Sequence, residues 1–367
     1  MDQKLLSFFH TLVKSNFKQL NKSQQFNLAD LLLAFFYNTS FSTYDIASGL
    51  SGETSTKHKN KRLIYFLDSL EINLQFWKSI VLTIFSLPGF KLKSRKVITL
   101  AIDATTLKDD FWLLAISVSY KGRGIPILIK SWEGVNVKYT LWDRVRETLK
   151  DLREILPVNF KYEILADRGF QGDVVFALCE ELGLDYVIRV NDSYKVKTKG
   201  GKSYIQLSLY NDGYYFIESF GKNKCSEGVN LVVNTKETSE GKARWYLATN
   251  IVSDRGTIVS KYEQRFLIEE TFKDLKSKLH WEKYTKKIPT NERLIKNIIV
   301  SSLSYTIQTA IGNQLKMSDS ERKVTSIFNK LRQTFRRGNK QLEKIIMKFQ
   351  RVIFTYISRN ANLFVKV

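Results

Sequence analysis

The sequence predicts an α/β domain on a mixed sheet, set between helical flanks. Three observations predict it. Apolar residues recur at helical spacing up to about residue 94. Three strand-length runs then follow one another with no helix between them, and after these, strands alternate with helices.

The first 94 residues read as a helical DNA-binding region. Helical periodicity runs through LADLLLAFFYNT and again through KRLIYFLDSLEINLQFWKSIVLTIF. Between them, STYDIASGLSGETSTKHKNKR offers a short helix, a Ser/Gly turn and a basic helix start, the pattern of a helix-turn-helix-like reader. Lys57, Lys59, Lys61 and Arg62 are its candidate phosphate contacts.

At Val97 the period changes to that of strands. VITLAIDATTL, FWLLAISVSY and IPILIKSW are separated by KDD and by the Gly-rich KGRG. VKYTLWDRVRETLKDLREIL reads as a helix, EILADRG as a strand, QGDVVFALCEELG as a helix closed by Gly183, and DYVIRV as a further strand. This order resembles a ribonuclease-H-like fold, assigned to 95–190 and 251–312. Residues 191–250 are rich in Gly, Lys, Ser, Asn and Tyr, with short alternating runs, and read as a β-rich insertion. A long helix is expected from about 257. Residues 313–367 form a basic helical C-terminal region, with 13 Lys and Arg against three acids.

Charge narrows the partner. Among 367 residues, 58 Lys and Arg face 36 Asp and Glu, a balance of +22, and such an excess favours a polyanion because each neutralised phosphate releases counterions. The two cysteines, Cys179 and Cys225, and three histidines show no metal-ligand spacing. That argues against structural zinc and a disulfide framework and fits the reducing cytoplasm, beside the nucleoid. No apolar run approaches the roughly 18 residues of a membrane span.

Three carboxylates are candidates for chemistry. Asp103 sits inside an apolar strand run, Asp167 closes a strand at its carboxyl end, and Glu269 lies in RFLIEETF on the expected helix. Acids from two strands and a packed helix can converge on Mg²⁺, a hard cation that takes oxygen ligands, with Mn²⁺ as a substitute. Two such ions suit an in-line phosphoryl transfer. Singly, each acid has a structural explanation as a strand-end cap or salt-bridge partner.

The expected helix carries a second pattern. Tyr262, Arg265, Glu269 and Lys276 fall at roughly 0°, 300°, 340° and 320° on an ideal helix, beside the apolar positions Ile268, Phe272, Leu275 and Leu279. An Arg265–Glu269 i,i+4 pair is the structural alternative, in its weaker orientation.

Tyr, two residues, Arg, three, Glu, six, Lys is similar to the signature of the YREK group of bacterial insertion-sequence transposases. ILADRGF and LAIDATT resemble that family's second- and first-Asp motifs, RWYLATN the segment before the signature helix, and TKHKNKR part of the N-terminal DNA-binding region of some members. The resemblance implies a cut-and-paste, hairpin-forming DDE transposase in which Asp103, Asp167 and Glu269 hold two divalent ions. Tyr262, Arg265 and Lys276 would grip phosphates, and Trp245 would stack on a flipped base, with a core Trp as its structural alternative. The resemblance also implies terminal inverted repeats in double-stranded DNA as substrate and a homodimer that pairs two ends. Another ribonuclease-H-like nuclease, a domesticated DNA-binding protein and a basic RNA-binding protein stay open as alternatives.

Overall fold

Why the chain divides as it does follows from where its apolar residues fall. The computed structural model describes residues 3–37, 43–87, 97–107, 111–120, 122–133, 141–220, 229–238, 241–278, 281, 290–312 and 344–345. These fall into two compact units. One gathers the described residues of Met1–Ser94, Ile155–Pro157 and Phe272–Val367, and the other those of Arg95–Glu154 and Val158–Thr271.

The first unit is helical. It holds α1 (Gln3–Asn16), α2 (Lys22–Tyr37), α3 (Thr43–Ser48), α4 (Thr56–Ser69) and α5 (Leu74–Ser86). A later helix of this unit, Asn291–Gly312, is buried without interruption from Lys296 to Gly312. Its polar residues are tolerated there because they bond to backbone. Ser302 and Thr306 donate to carbonyls one turn back, Ser304 to Leu32 O and Gln308 to Phe35 O. Among the described residues no helix is long and apolar enough to cross a membrane.

The second unit is built on a ten-stranded sheet. Its strands are β1 (Val97–Leu107), β2 (Phe111–Tyr120), β3 (Arg123–Glu133), β4 (Lys161–Ala166), β5 (Asp185–Arg189), β6 (Lys195–Thr198), β7 (Ile205–Gln206), β8 (Gly213–Phe220), β9 (Asn230–Thr238) and β10 (Gly241–Thr249). The spatial order is β3-β2-β1-β4-β5-β10-β9-β8-β6-β7. β1, β2 and β3 pair antiparallel, whereas β4 runs parallel to β1 and to β5. The central strand β4 reads KYEILA and is buried from its second residue on, as a strand covered on both faces must be. The mixed α/β class expected from the sequence is therefore observed, with β6 to β10 extending the same sheet.

Helix α6 (Leu141–Ile155) precedes β4, and α7 (Asp173–Glu181) connects β4 to β5. α7 ends where expected: Gly183 has φ +65°, a conformation in which a Cβ would be strained.

One expectation is corrected. The long helix from about 257 is two helices, α8 (Arg255–Glu263) and α9 (Phe266–Lys278); the Asn291–Gly312 helix is α10. Asp254 caps α8, accepting from Thr257 N at 2.9 Å. Between α8 and α9 the hydrogen bonds run Arg265 N to Tyr262 O and Ile268 N to Arg265 O, three residues back instead of four. That tighter step turns α9 relative to α8. The projection at 100° per residue, which assumes one unbroken helix, therefore does not apply across this step. The expected basic helical region, 313–367, lies outside the described residues except for 344–345.

Candidate active site

Register brings the first two acids together. Ala101 of β1 is level with Leu165 of β4. Two residues further along each parallel strand come Asp103 and Asp167, at the same level and, by the two-residue alternation, on the same face as that pair. The β1–β4 ladder ends at Ala101 and Leu165, short of both acids. Beyond it β1 continues against β2, with Asp103 opposite Ala115, while the chain after β4 turns away into a short 3₁₀ turn at Arg168–Phe170. This places both carboxylates at the carboxyl end of the sheet, where open α/β sheets present ligands.

Each carboxylate has local bonds. Asp103 Oδ1 accepts from Ala104 N at 2.9 Å, and Asp167 Oδ1 accepts from Gly169 N at 2.8 Å. Burial of Asp103 pushes its pKa from 3.8 to about 6; Arg265 opposes the rise, and the charges of Asp167 and Glu269 add to it.

Arg265 links the third acid to the first. It sits in the step between α8 and α9, is buried, and its guanidinium lies 2.5 Å from Glu269 Oε1 and 4.0 Å from Asp103 Oδ2. Burial disfavours its charge, but Tyr262, Glu269 and Asp103 outweigh this and hold its pKa above the ordinary value. The Arg265–Glu269 pair is thus present, yet it is also part of the acid group. Among the described residues, no three Asp, Glu, His or Cys side chains lie close enough to hold one ion. The positions explain why: Glu269 is turned onto Arg265 and Asp167 onto its own turn.

Tyr262 is fully buried in a core cluster with Leu165, Val187, Val232, Trp245, Leu247 and Ile258. Its hydroxyl faces the Arg265 guanidinium, and Arg265 Nε is a buried polar atom without a hydrogen-bond partner of its own. The ring of Trp245, 5% exposed, meets Tyr262 edge to face at 5.2 Å, and the Lys236 ammonium stands 5.3 Å above it. Stacking on a base would require that ring to leave the cluster. Lys276 is half-buried, seven residues after Glu269 on α9.

A cleft of about 260 Å³ was not foreseen from the sequence. Arg168, Arg189 and Arg244 line it with Val190, Asp192 and Tyr246. Arg168 directly follows Asp167 in the chain, whereas Arg244 and Tyr246 alternate along β10 with Trp245 and Leu247 of the Tyr262 cluster. Arg244 also donates to Tyr210 O and stands 3.8 Å from Asp212, and the three guanidiniums together make a surface suited to phosphate oxygens. The signal was available in ADRGF, in the Arg that closes DYVIR, and in the Arg before Trp245, but strand ends far apart in sequence do not announce that they meet.

In the helical unit, α3 and α4 are joined by a turn containing Gly52 at φ +97°. The four basic candidates on α4 divide there. Lys57 and Lys61 are exposed one turn apart. Lys59 Nζ instead donates to Leu50 O at 2.8 Å, and Arg62 pairs with the buried Asp30, which also accepts from Ser51 N at 2.8 Å.

Residues 144–303 match the family model of the transposase DDE domain. The match supports a DDE transposase. It spans Asp167 and Glu269 and begins after Asp103. No curated protein matches the chain.

Proposed function

We propose that this chain is a hairpin-forming DDE transposase of the YREK group, with a ribonuclease-H-like catalytic domain. It binds terminal inverted repeats in double-stranded DNA, cleaves them and transfers strands, working as a homodimer on two ends beside the nucleoid. The observation that carries this reading is that Asp103 and Asp167 each come two residues after the level pair Ala101 and Leu165, with Arg265 standing between Asp103 and Glu269.

The donor set fits divalent metal. All three side chains offer only oxygen, and a cation would relieve the repulsion that helps hold the Asp103 carboxyl at about 6. Asp103, Asp167 and Glu269 would hold two Mg²⁺ or Mn²⁺ ions, which when bound supply activation of the attacking oxygen and charge relief on the leaving oxygen.

The chain's own residues do the rest. Arg168, Arg189 and Arg244 bind backbone phosphates and help to orient the strand. Arg265, with the Tyr262 hydroxyl next to it, draws a further phosphate toward the acids, releasing Glu269 as it does so. Lys57 and Lys61 hold duplex DNA, and Lys276 grips a phosphate. Trp245 would serve a flipped base once displaced from its cluster.

The test uses purified protein and labelled duplexes that carry the DNA ends flanking its own gene. Cleavage is expected with Mg²⁺ or Mn²⁺ and not in excess EDTA, and Asp103→Ala, Asp167→Ala and Glu269→Ala should each abolish it while end binding persists. Full cleavage in EDTA, or a strict zinc requirement, would exclude the two-metal reading.

A further inference from the structure

Glu269 is bracketed by two residues pressed against one glycine. Gly124, near the start of β3, donates its N–H to Thr271 Oγ1 at 3.0 Å. The same Thr271 hydroxyl donates to Leu267 O at 3.0 Å, so it ties the sheet to the first turns of α9. A methyl group at residue 124 would stand 2.9 Å from Ile268 Cα, 3.0 Å from Ile268 N and 2.8 Å from Ser117 Oγ. Two of those three contacts are helix backbone, which cannot rotate aside. Gly124, Ile268 and Thr271 are all buried.

The other end of the segment is also pinned. Lys261, on the last turn of α8, lies 2.5 Å from Glu163 Oε2, and Glu163 on β4 is nearly fully buried and accepts from Thr99 Oγ1 as well. Between these anchors lie Tyr262, Arg265 and Glu269. With α8 held by a buried pair, a displacement of α9 has to be taken up in the tight step that contains Arg265.

We infer that Gly124 and Thr271 form a seat for α9 and are positioning residues for Glu269 and Arg265. Ile268 and Thr271 are three apart and share a helix face. Laying that face on Gly124 fixes the rotation of α9, and with it the direction in which Glu269, one residue after Ile268, leaves the helix. The shift of register in β2–β3 at Ile116 and Ser117 lies against the same contact, where a bulge re-aims the strands. This role rests on the proposed transposase reading, since it is for that chemistry that Glu269 has to be placed.

The experiment compares Gly124→Ala, Thr271→Val and Thr271→Ser with the parent on end DNA. It reads single-turnover cleavage, the Kd for DNA by fluorescence anisotropy, Mn²⁺ binding by electron paramagnetic resonance, and Tm. A displacement of about 1 Å at a reacting centre costs on the order of 100-fold in rate, so Gly124→Ala should cleave about 100-fold more slowly. Thr271→Val should also cleave slowly and Thr271→Ser, which keeps both bonds, at close to the parent rate. Both impaired variants should bind Mn²⁺ more weakly with an unchanged Kd for DNA. Should Gly124→Ala not fold, the Thr271 pair decides alone. Folded variants that cleave at the parent rate, or that lose DNA binding and cleavage in equal measure, overturn the seat and leave the transposase reading standing. A parent protein that neither binds Mn²⁺ nor cuts its ends overturns that reading itself, and the positioning role with it.

Discussion

Arg265 holds Glu269 at 2.5 Å while standing 4.0 Å from Asp103, so one buried guanidinium neutralises two acids that belong to different elements. The same carboxylates are the proposed metal ligands. A bound cation and Arg265 therefore compete for them, and the competition can be measured.

Replacing Arg265 with Ala removes the positive charge that opposes the rise in the Asp103 pKa. The metal-free variant is expected to melt below the parent, because a buried carboxylate loses its nearest cation. Mn²⁺ should then raise the Tm of the variant by more than it raises the parent's, since the ion takes over an unmet charge. Thermal denaturation with and without Mn²⁺ checks this. Equal Tm shifts in the two proteins would mean that Arg265 and the ion do not share ligands.

Asp103 itself sets a pH dependence. Its folded-state pKa lies above the ordinary 3.8, at about 6. The stability this acid contributes is thus fully present below about pH 3.8 and lost as pH rises through about 6. The difference is about 2 pH units, or about 3 kcal/mol at 1.36 kcal/mol per unit. Asp103→Asn, which cannot ionise, should match the parent near pH 4 and exceed it by up to about 3 kcal/mol above pH 7 in EDTA, while losing cleavage. Denaturant unfolding across pH 4–8 decides. A constant offset, or a gap that closes as pH rises, would contradict the burial of a charged Asp103.

Sequence reading succeeded where periodicity and neighbours determine structure. The apolar runs around Asp103 and before Asp167 made both strands visible, and a charge inside one run and an acid closing the other made both candidates. The break at Gln264 and Arg265 was not visible. No Pro or Gly marks it, and the 100° projection assumed a helix that the i→i−3 bonds interrupt. The arginine cleft and the Gly124 seat were hidden for a different reason. Each joins residues distant in sequence, and Gly124 read only as part of a Gly-rich turn. Burial also separates side chains that composition treats alike: Arg62 and Lys61 are neighbours in one basic run, yet only Arg62 pairs with the buried Asp30.

That separation predicts opposite phenotypes on α4. Lys57→Ala combined with Lys61→Ala should weaken end binding, lower the slope of log K against log salt by about 2, and leave Tm unchanged. Arg62→Ala should instead strip the cation from Asp30 and reduce stability by up to about 3 kcal/mol. Anisotropy titrations at several salt concentrations, together with melting curves, separate the two. An unchanged salt slope in the double variant would remove this face of α4 from the DNA interface.

Trp245 tests the hairpin pathway against a purely structural role. Its ring is packed on Tyr262 and, at 6.0 Å, on Phe266, with the Lys236 ammonium over it. Truncation to Ala should therefore cost about 3–5 kcal/mol of stability, whatever else the ring does. Trp245→Phe keeps an aromatic of smaller area and should fold close to normally. If the ring also receives a flipped base, stacking worth about 1–3 kcal/mol is lost in the Ala variant and only partly in the Phe variant. Assayed well below its Tm, Trp245→Ala should nick end DNA at the parent rate but accumulate nicked ends, with Phe between it and the parent. A denaturing gel of a labelled end resolves nicked, hairpin and fully cut products. A normal product ratio in Trp245→Ala would make the residue a packing element, which its burial alone already explains. No hairpin in the parent would leave the acid chemistry in place and require a different route for cutting the second strand.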